Sequence, residues 1–395
     1  MTKTDSTWSD EVRSRKDSLI ALRRDFHCYP ELSFQEHRTA EIIATRLHGA
    51  GLEVRTGVSQ TGVVVVLHGD RPGRTIAWRA DIDALPVTEA VDVPFASRTP
   101  GVMHACGHDG HTAIALTLAE ILAARRAQVC GTAVFIFQPA EEVGRGARPM
   151  IEAGVLDNPR VDEVYGMHLT TRLPVGQVVV RSGALMASTD GFEVEIQGKG
   201  GHGAFPYQAI DPITVAANIL LGMQNLVSKE IKAQEPAVLT VGQITAGTQD
   251  NIIPTTAMMR GTLRTFNPGV RTQVMERLGN FASHLARAYR AEAALSFRGM
   301  EIPAVVNHPR VTAFVRQCAV DVLGSRALVD GELVMGGDDM SRFLQERPGC
   351  YFLVGVAPSS RPPKPHHAPE FEMNEEGLHV GLQVALQVVL GALQG

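Results

Sequence analysis

Residues 104–142 read HACGHDGHTAIALTLAEILAARRAQVCGTAVFIFQPAEE. Thr112 to Arg126 predicts a helix, and the short β-branched run Thr132 to Phe137 that follows it predicts a buried strand. Working outward, similar apolar runs predict strands Val63 to Leu67, Thr75 to Arg79 and Asp162 to Met167, while Trp8 to Ala50 carries helix-period positions broken near Pro30 and predicts two helices. Strands alternating with helices imply an α/β domain with a largely buried, mostly parallel sheet flanked by helices.

The pattern changes near Gly183. Phe192 to Ile196, Ala237 to Ile244, Thr256 to Thr265 and Ala293 to Phe297 predict strands, and Pro212 to Val227 and Val270 to Arg290 predict helices. The order β-α-β-β-α-β is that of a ferredoxin-like α+β unit. After about Gly299 the α/β character returns, with helices Thr312 to Leu323 and Met340 to Gln345, strand Cys350 to Val356 and a last helix from Glu375. The expected organisation is a large domain of residues 1–184 and 299–395, interrupted by a smaller domain of residues 185–298. At 395 residues the chain exceeds what one core comfortably serves, so two domains are natural.

An apolar fraction of 44%, 20% charged residues and a net charge of −5 with scattered basic residues argue against nucleic acid and against a membrane, and favour a small-molecule partner. The polar N-terminus carries no apolar signal core, and five irregularly spaced cysteines read as reduced thiols, so a cytoplasmic location is expected.

Chemistry-bearing residues recur just after buried strands, where open α/β sheets bind ligands. They are Asp81 and Asp83, then Glu141 and Glu142, then His168, then His366 and His367, with Cys106 and His108 ahead of the helix at Thr112. A thiolate with imidazoles and carboxylates suits zinc, manganese, cobalt or nickel, and two such ions can activate water and polarise a carbonyl while a neighbouring carboxylate carries the proton. Of the adjacent glutamates, one can ligate and the other act as base. Each residue alone also has a bland reading, as a loop or core histidine, a solvated glutamate pair, or, for Asp109, the N-cap of the helix at Thr112. Cys106 could be a nucleophile or a structural zinc ligand, but it lacks an orienting third group and a second cysteine pair. His202, in GKGGHG, reads equally well as a polar turn residue or as an imidazole on a loop that can approach a carbonyl.

Together, LRRDFHCYPELSFQE from Leu22, RADIDALP from Arg79, HACGHDGHT from His104, FQPAEE from Phe137, GMHL from Gly166, GKGGHGAFP from Gly198, DNIIPTTAMMRGTLRTF from Asp250 and HHAPEF from His366 resemble the co-catalytic metallopeptidases that include aminoacylases, hippurate hydrolases and plant auxin-conjugate hydrolases. The resemblance implies metal ligands Cys106, His108, Glu142, His168 and His367, with Glu141 as general base. It further implies that His202 reaches a partner subunit's active site to stabilise the oxyanion, that Asn251 and Arg264 bind substrate, and that the smaller domain is a dimerisation or lid domain. The expected activity is hydrolysis of N-acyl amino acids by a homodimer or higher homo-oligomer carrying two divalent ions. A dipeptidase or carboxypeptidase using the same site, and a non-catalytic metal-binding protein, are the alternatives.

The chain departs from the family's pattern at three places. Tyr207 stands where a histidine is usual, Gly337-Asp338-Asp339 replaces Ser-Glu-Asp, and Cys28-Tyr29 replaces a pair ending in His. Asp81 stands where the wider family has a ligating histidine, a change shared with the auxin-hydrolase branch.

Overall fold

A computed structural model of the chain describes residues 6–395. It divides into two compact units, one of residues 6–183, 306–332 and 339–395, the other of residues 184–305 and 333–338. The segment 333–338 is therefore grouped with the smaller unit, outside the 185–298 expected from the sequence.

The larger unit is built on a seven-stranded sheet in the order Glu53–Val58, Gly62–His68, Cys130–Gln138, Arg71–Asp81, Glu163–Pro174, Gly349–Ala357, Val178–Val179. The four strands from Cys130–Gln138 to Gly349–Ala357 run parallel and the outer ones antiparallel. Strand Gly62–His68 is buried except at its last residue, as expected of a β-branched run covered on both faces. Helix His108–Ala124 is apolar nearly all round, and Ala113 to Ala119, Ile121 and Leu122 are all buried. Helix Glu376–Gln394 is long and apolar enough to cross a bilayer, but 67% of its apolar window is buried and Leu378, Leu382, Leu386 and Leu393 join the core.

The α/β reading holds, with local differences. Three helices, Ser6–Ser14, Lys16–Cys28 and His37–Gly49, stand where two are expected, because the chain bends at Arg15. The half-exposed edge strand Glu53–Val58 and the six-residue helix Ala147–Glu152 are too weakly patterned to be read. Strand Glu163–Pro174 runs well past Met167, so His168 lies within it rather than after its end.

The smaller unit has a four-stranded antiparallel sheet in the order Ala237–Ala246, Thr256–Thr265, Thr189–Gln197, Glu292–Ile302. This is the ferredoxin-like order. Val194, Ile196, Met259 and Leu263 from the sheet pack with Val215, Ile219 and Met223 of helix Pro212–Glu230 and Leu278 of helix Pro268–Ala288. Both helices start on a capping side chain followed by proline: Asp211 accepts the N–H of Ile213, and Asn267 that of Gly269.

Candidate metal centre

Parallel strands end side by side, and here those ends carry acids and imidazoles. Strand Arg71–Asp81 delivers Asp81 and, just beyond it, Asp83; strand Cys130–Gln138 delivers Glu141 and Glu142; strand Glu163–Pro174 carries His168. Helix His108–Ala124 begins four residues before Thr112, with Gly107 at φ +94° ahead of it. His108 is thereby its first residue. Asp109 is consequently not an N-cap but sits in the first turn, where its buried carboxylate pairs with Arg23 at 2.8 Å and His27 at 2.7 Å.

Cys106, His108, Glu141, Glu142, His168 and His367 converge. The potential ligand atoms of Cys106, His108 and His168, of Cys106, Glu142 and His367, and of His108, Glu141 and Glu142 lie within 4.8 Å of one another in each group. Cys106 Sγ is 3.6 Å from His168 Nε2, His108 Nε2 is 3.8 Å from Glu142 Oε1, and His367 Nε2 is 3.4 Å from Glu142 Oε2.

The imidazole tautomers follow from their partners. His108 Nδ1 donates to the Asp83 carbonyl at 2.9 Å and His168 Nδ1 to the Leu169 carbonyl at 2.7 Å. A carbonyl only accepts, so each ring carries its hydrogen on Nδ1 and turns the Nε2 lone pair inward. His108 Nε2 and Glu142 Oε1 are buried without a hydrogen-bond partner among the described residues. Orphaned inward lone pairs beside a thiol and carboxylates fit a divalent cation.

His111 is different, although it lies near Asp81 and His108. Its Nδ1 donates to Asp81 at 2.6 Å and its Nε2 accepts the Leu169 N–H at 2.9 Å, so neither nitrogen is left to ligate. Asp81 also receives Arg79, whose buried guanidinium bonds Gln138 at 2.8 Å and Asp339 at 2.9 Å. Although burial opposes it, the Arg79 guanidinium and the hydrogen bond from His111 hold the Asp81 carboxyl well below the usual carboxylate range. Burial, with the Glu142 charge beside it, pushes the Cys106 thiol up. A bound cation opposes that shift by favouring the thiolate.

Asp83 has the largest structural role that strand-end reasoning leaves unassigned. Its Oδ1 and Oδ2 accept the N–H groups of Glu141 and Glu142, both at 3.1 Å, and Ser33 donates to Oδ2 at 2.7 Å. It thus links the glutamate turn to His108. The available signal was the second aspartate of Asp81-Ile82-Asp83. Two residues of the site, Ala140 at φ +53° and His367 at φ +67°, hold left-handed conformations unusual for side-chain-bearing residues. The His367 N–H is anchored on the Ala105 carbonyl at 2.8 Å.

In the smaller unit His202 is exposed on the short strand Gly201–His202, paired with Ile252–Ile253. Its Nδ1 accepts the Ala204 N–H at 3.0 Å, which places the hydrogen of a neutral ring on Nε2, available to donate. His202 and Asn251 line a cleft of about 1180 Å³. Arg264 is not among its lining residues; its guanidinium donates to the Met335 carbonyl at 2.8 Å and to Thr189 at 3.2 Å. Tyr207 is 75% exposed and takes a hydrogen bond from Gln208. Of the replaced Ser-Glu-Asp stretch, Asp339 is buried against Arg79, Gln138 and the Ala147 N–H. Cys28 donates to the Phe95 carbonyl and Tyr29 stacks on Arg38.

The chain is similar along nearly its whole length to known proteins. It is 41% identical over 378 residues to N-acetylcysteine deacetylase of Bacillus subtilis, covering 95% of this chain and 97% of that one. It is 39% identical over 376 residues to thermostable carboxypeptidase 1 of Saccharolobus solfataricus, covering 94% of each. Among solved structures, the YXEP protein of Bacillus subtilis, described as a dinuclear metal binding peptidase, superposes with a TM-score of 0.84 at 38% identity, covering 96% of this chain and 99% of that one. The profile of peptidase family M20/M25/M40 matches residues 77–391, and with the convergence of the strand-end ligands it establishes that the chain belongs to that family.

Proposed function

We propose that the chain is a metal-dependent amidohydrolase that cleaves N-acyl amino acids to a carboxylic acid and a free amino acid. The observation that carries this reading is the overlap of the ligand groups: Cys106, His108 and Glu142 are each shared between two of them, which supports two adjacent ion sites with Glu141 alongside. Cys106, His108, Glu142, His168 and His367 are the proposed ligands, for zinc, manganese, cobalt or nickel. Two ions bound there supply a water of lowered pKa and an electrophile for the scissile carbonyl.

The chain's own residues do the rest. Glu141, 7% exposed, takes the proton from the attacking water and delivers it to the amide nitrogen as the C–N bond breaks. Asp83 keeps Glu141 and Glu142 aimed by holding their N–H groups. His202 donates its Nε2 hydrogen to the carbonyl oxygen as negative charge develops there, acting on the active site of a partner subunit. Asn251, beside His202 in the cleft, contacts substrate. Arg264, whose Nη1 donates to the Met335 carbonyl and to Thr189, is proposed to bind substrate.

The proposed assembly is a homodimer. Strand Ala237–Ala246 is an edge of the smaller sheet and leaves Val238 and Ile244 exposed, so it can pair with its copy. The proposed location is the cytoplasm, since all five cysteines are free thiols.

A panel of hippurate, acetyl-amino acids and dipeptides, scanned against the four ions, tests the reading. Release of free amino acid from acylated substrates supports it. Preference for dipeptides favours the carboxypeptidase or dipeptidase alternative, in keeping with the similarity to a thermostable carboxypeptidase. Absence of amide hydrolysis with every ion rejects both.

A further inference from the structure

The segment Pro30–Glu36, PELSFQE, contributes no proposed ligand or base, yet it ends inside the site. Glu36 is completely buried. One carboxylate oxygen accepts the Ala140 N–H at 2.9 Å and the other the Thr61 hydroxyl. Ala140 is the left-handed residue directly before Glu141. Three successive N–H groups, of Ala140, Glu141 and Glu142, therefore end on buried carboxylates, the first on Glu36 and the next two on Asp83.

The division between the two acids matters. The Ala140 N–H belongs to the peptide plane before that residue, and the Glu141 N–H to the plane after it. Asp83 orients only the later planes; the earlier one is held by Glu36 through the Ala140 N–H and by Gln138 Nε2 through the Pro139 carbonyl at 3.2 Å. The conformation of Ala140 is the relation between these planes, and residues with a Cβ hold it only when surroundings over-determine it.

We propose that Glu36 is a positioning residue: by anchoring the Ala140 amide it locks the left-handed turn and so sets the directions in which Glu141 and Glu142 leave the backbone. The inference rests on the proposed roles of those two glutamates. Burial pushes the Glu36 carboxyl up, but either protonation state can accept the Ala140 N–H on one oxygen and pair with Thr61 through the other. Glutamine can accept the Ala140 N–H on Oε1 and donate from Nε2 to the Thr61 oxygen, so that only the direction of the second bond changes.

The test compares the metal-loaded wild type with Glu36→Ala, Glu36→Gln, Glu36→Asp and the double variant Glu36→Ala with Ala140→Gly. Zinc affinity is read by competition with a chromophoric chelator, kcat and KM on an acetyl-amino acid, and Tm by scanning calorimetry. Glu36→Ala should weaken zinc binding about 10–100-fold, as loss of a supporting hydrogen bond does, and lower kcat about 10²-fold at saturating metal with little change in KM. Glu36→Gln should stay within about threefold of wild type in both, because the supporting hydrogen bonds persist. Glycine at position 140 tolerates the left-handed region without fixing it, so the double variant should regain Tm but neither zinc affinity nor kcat.

Wild-type zinc affinity and kcat in Glu36→Ala overturn the proposal. So does recovery of both together with Tm in the double variant, or a Glu36→Gln protein as impaired as Glu36→Ala. If Glu36→Ala does not fold, Glu36→Asp, which keeps the carboxyl but withdraws it from Ala140, must show the same losses, and wild-type values there overturn the proposal equally. Lack of turnover by the wild type on acylated substrates counts against the proposed function alone, since zinc affinity reads the turn independently.

Discussion

Replacing Glu141 by glutamine separates catalysis from metal binding. The side chains have nearly the same shape, and the Glu141 backbone N–H, bound to Asp83 at 3.1 Å, is untouched. The supports of the proposed ligands also remain, because His108 is oriented by the Asp83 carbonyl and His168 by the Leu169 carbonyl. The substitution removes the carboxylate charge and with it the capacity to take a proton. A general base contributes about 10²–10⁴-fold, which at about 1.36 kcal/mol per decade is about 2.7–5.4 kcal/mol of barrier. Glu141→Gln should therefore lose kcat by that factor while keeping two equivalents of metal and a Tm close to wild type. Glu141→Asp keeps the charge but draws it back by about one C–C bond, about 1.5 Å, and a misplacement of 1 Å can cost about 10²-fold. It should fall between the two. The assays are amino acid release under metal-saturating conditions, metal content by emission spectrometry, and thermal scanning. Near-normal turnover in metal-replete Glu141→Gln would refute the assignment and move the base elsewhere.

Chelation should abolish activity, and Cys106→Ala or His367→Ala should lower bound metal measured after gel filtration; unchanged stoichiometry in both removes them as ligands. His202→Ala should reduce kcat without changing metal content, and mixing it with Glu141→Gln should restore part of the activity through hybrid dimers; demonstrated subunit exchange with no recovery excludes action across the interface. Arg79→Met leaves Asp81 and Asp339 buried without their cation, so denaturant unfolding should register a loss of about 3–5 kcal/mol, and an unchanged midpoint would show that the pairs contribute nothing net.

Much of the architecture was legible because its signals are local. Apolar runs of strand length alternating with helical runs report a sheet covered on both faces, and β-α-β-β-α-β reports the smaller sheet. Where local signals are weak, the reading slipped: edge strand Glu53–Val58 is half exposed, and helix His108–Ala124 starts earlier than its apolar run because its first turn is filled by His108, Asp109 and His111, whose burial comes from ion pairs and hydrogen bonds.

By itself, the sequence determined the residue types available at the strand ends, and hence the class of chemistry: a thiol, imidazoles and an adjacent glutamate pair suit a borderline divalent ion and a base. Which of those residues turn inward was decided only by tertiary structure. His108 and His111 stand three positions apart on one helix and look equivalent as letters. One keeps a buried lone pair free and the other spends both nitrogens on Asp81 and Leu169. Likewise, nothing in the letters of PELSFQE announces that Glu36 reaches Ala140 from 104 positions away. Hydrogen-bond roles depend on distances between atoms far apart along the chain, and those distances exist only once the sheet has brought its strand ends together.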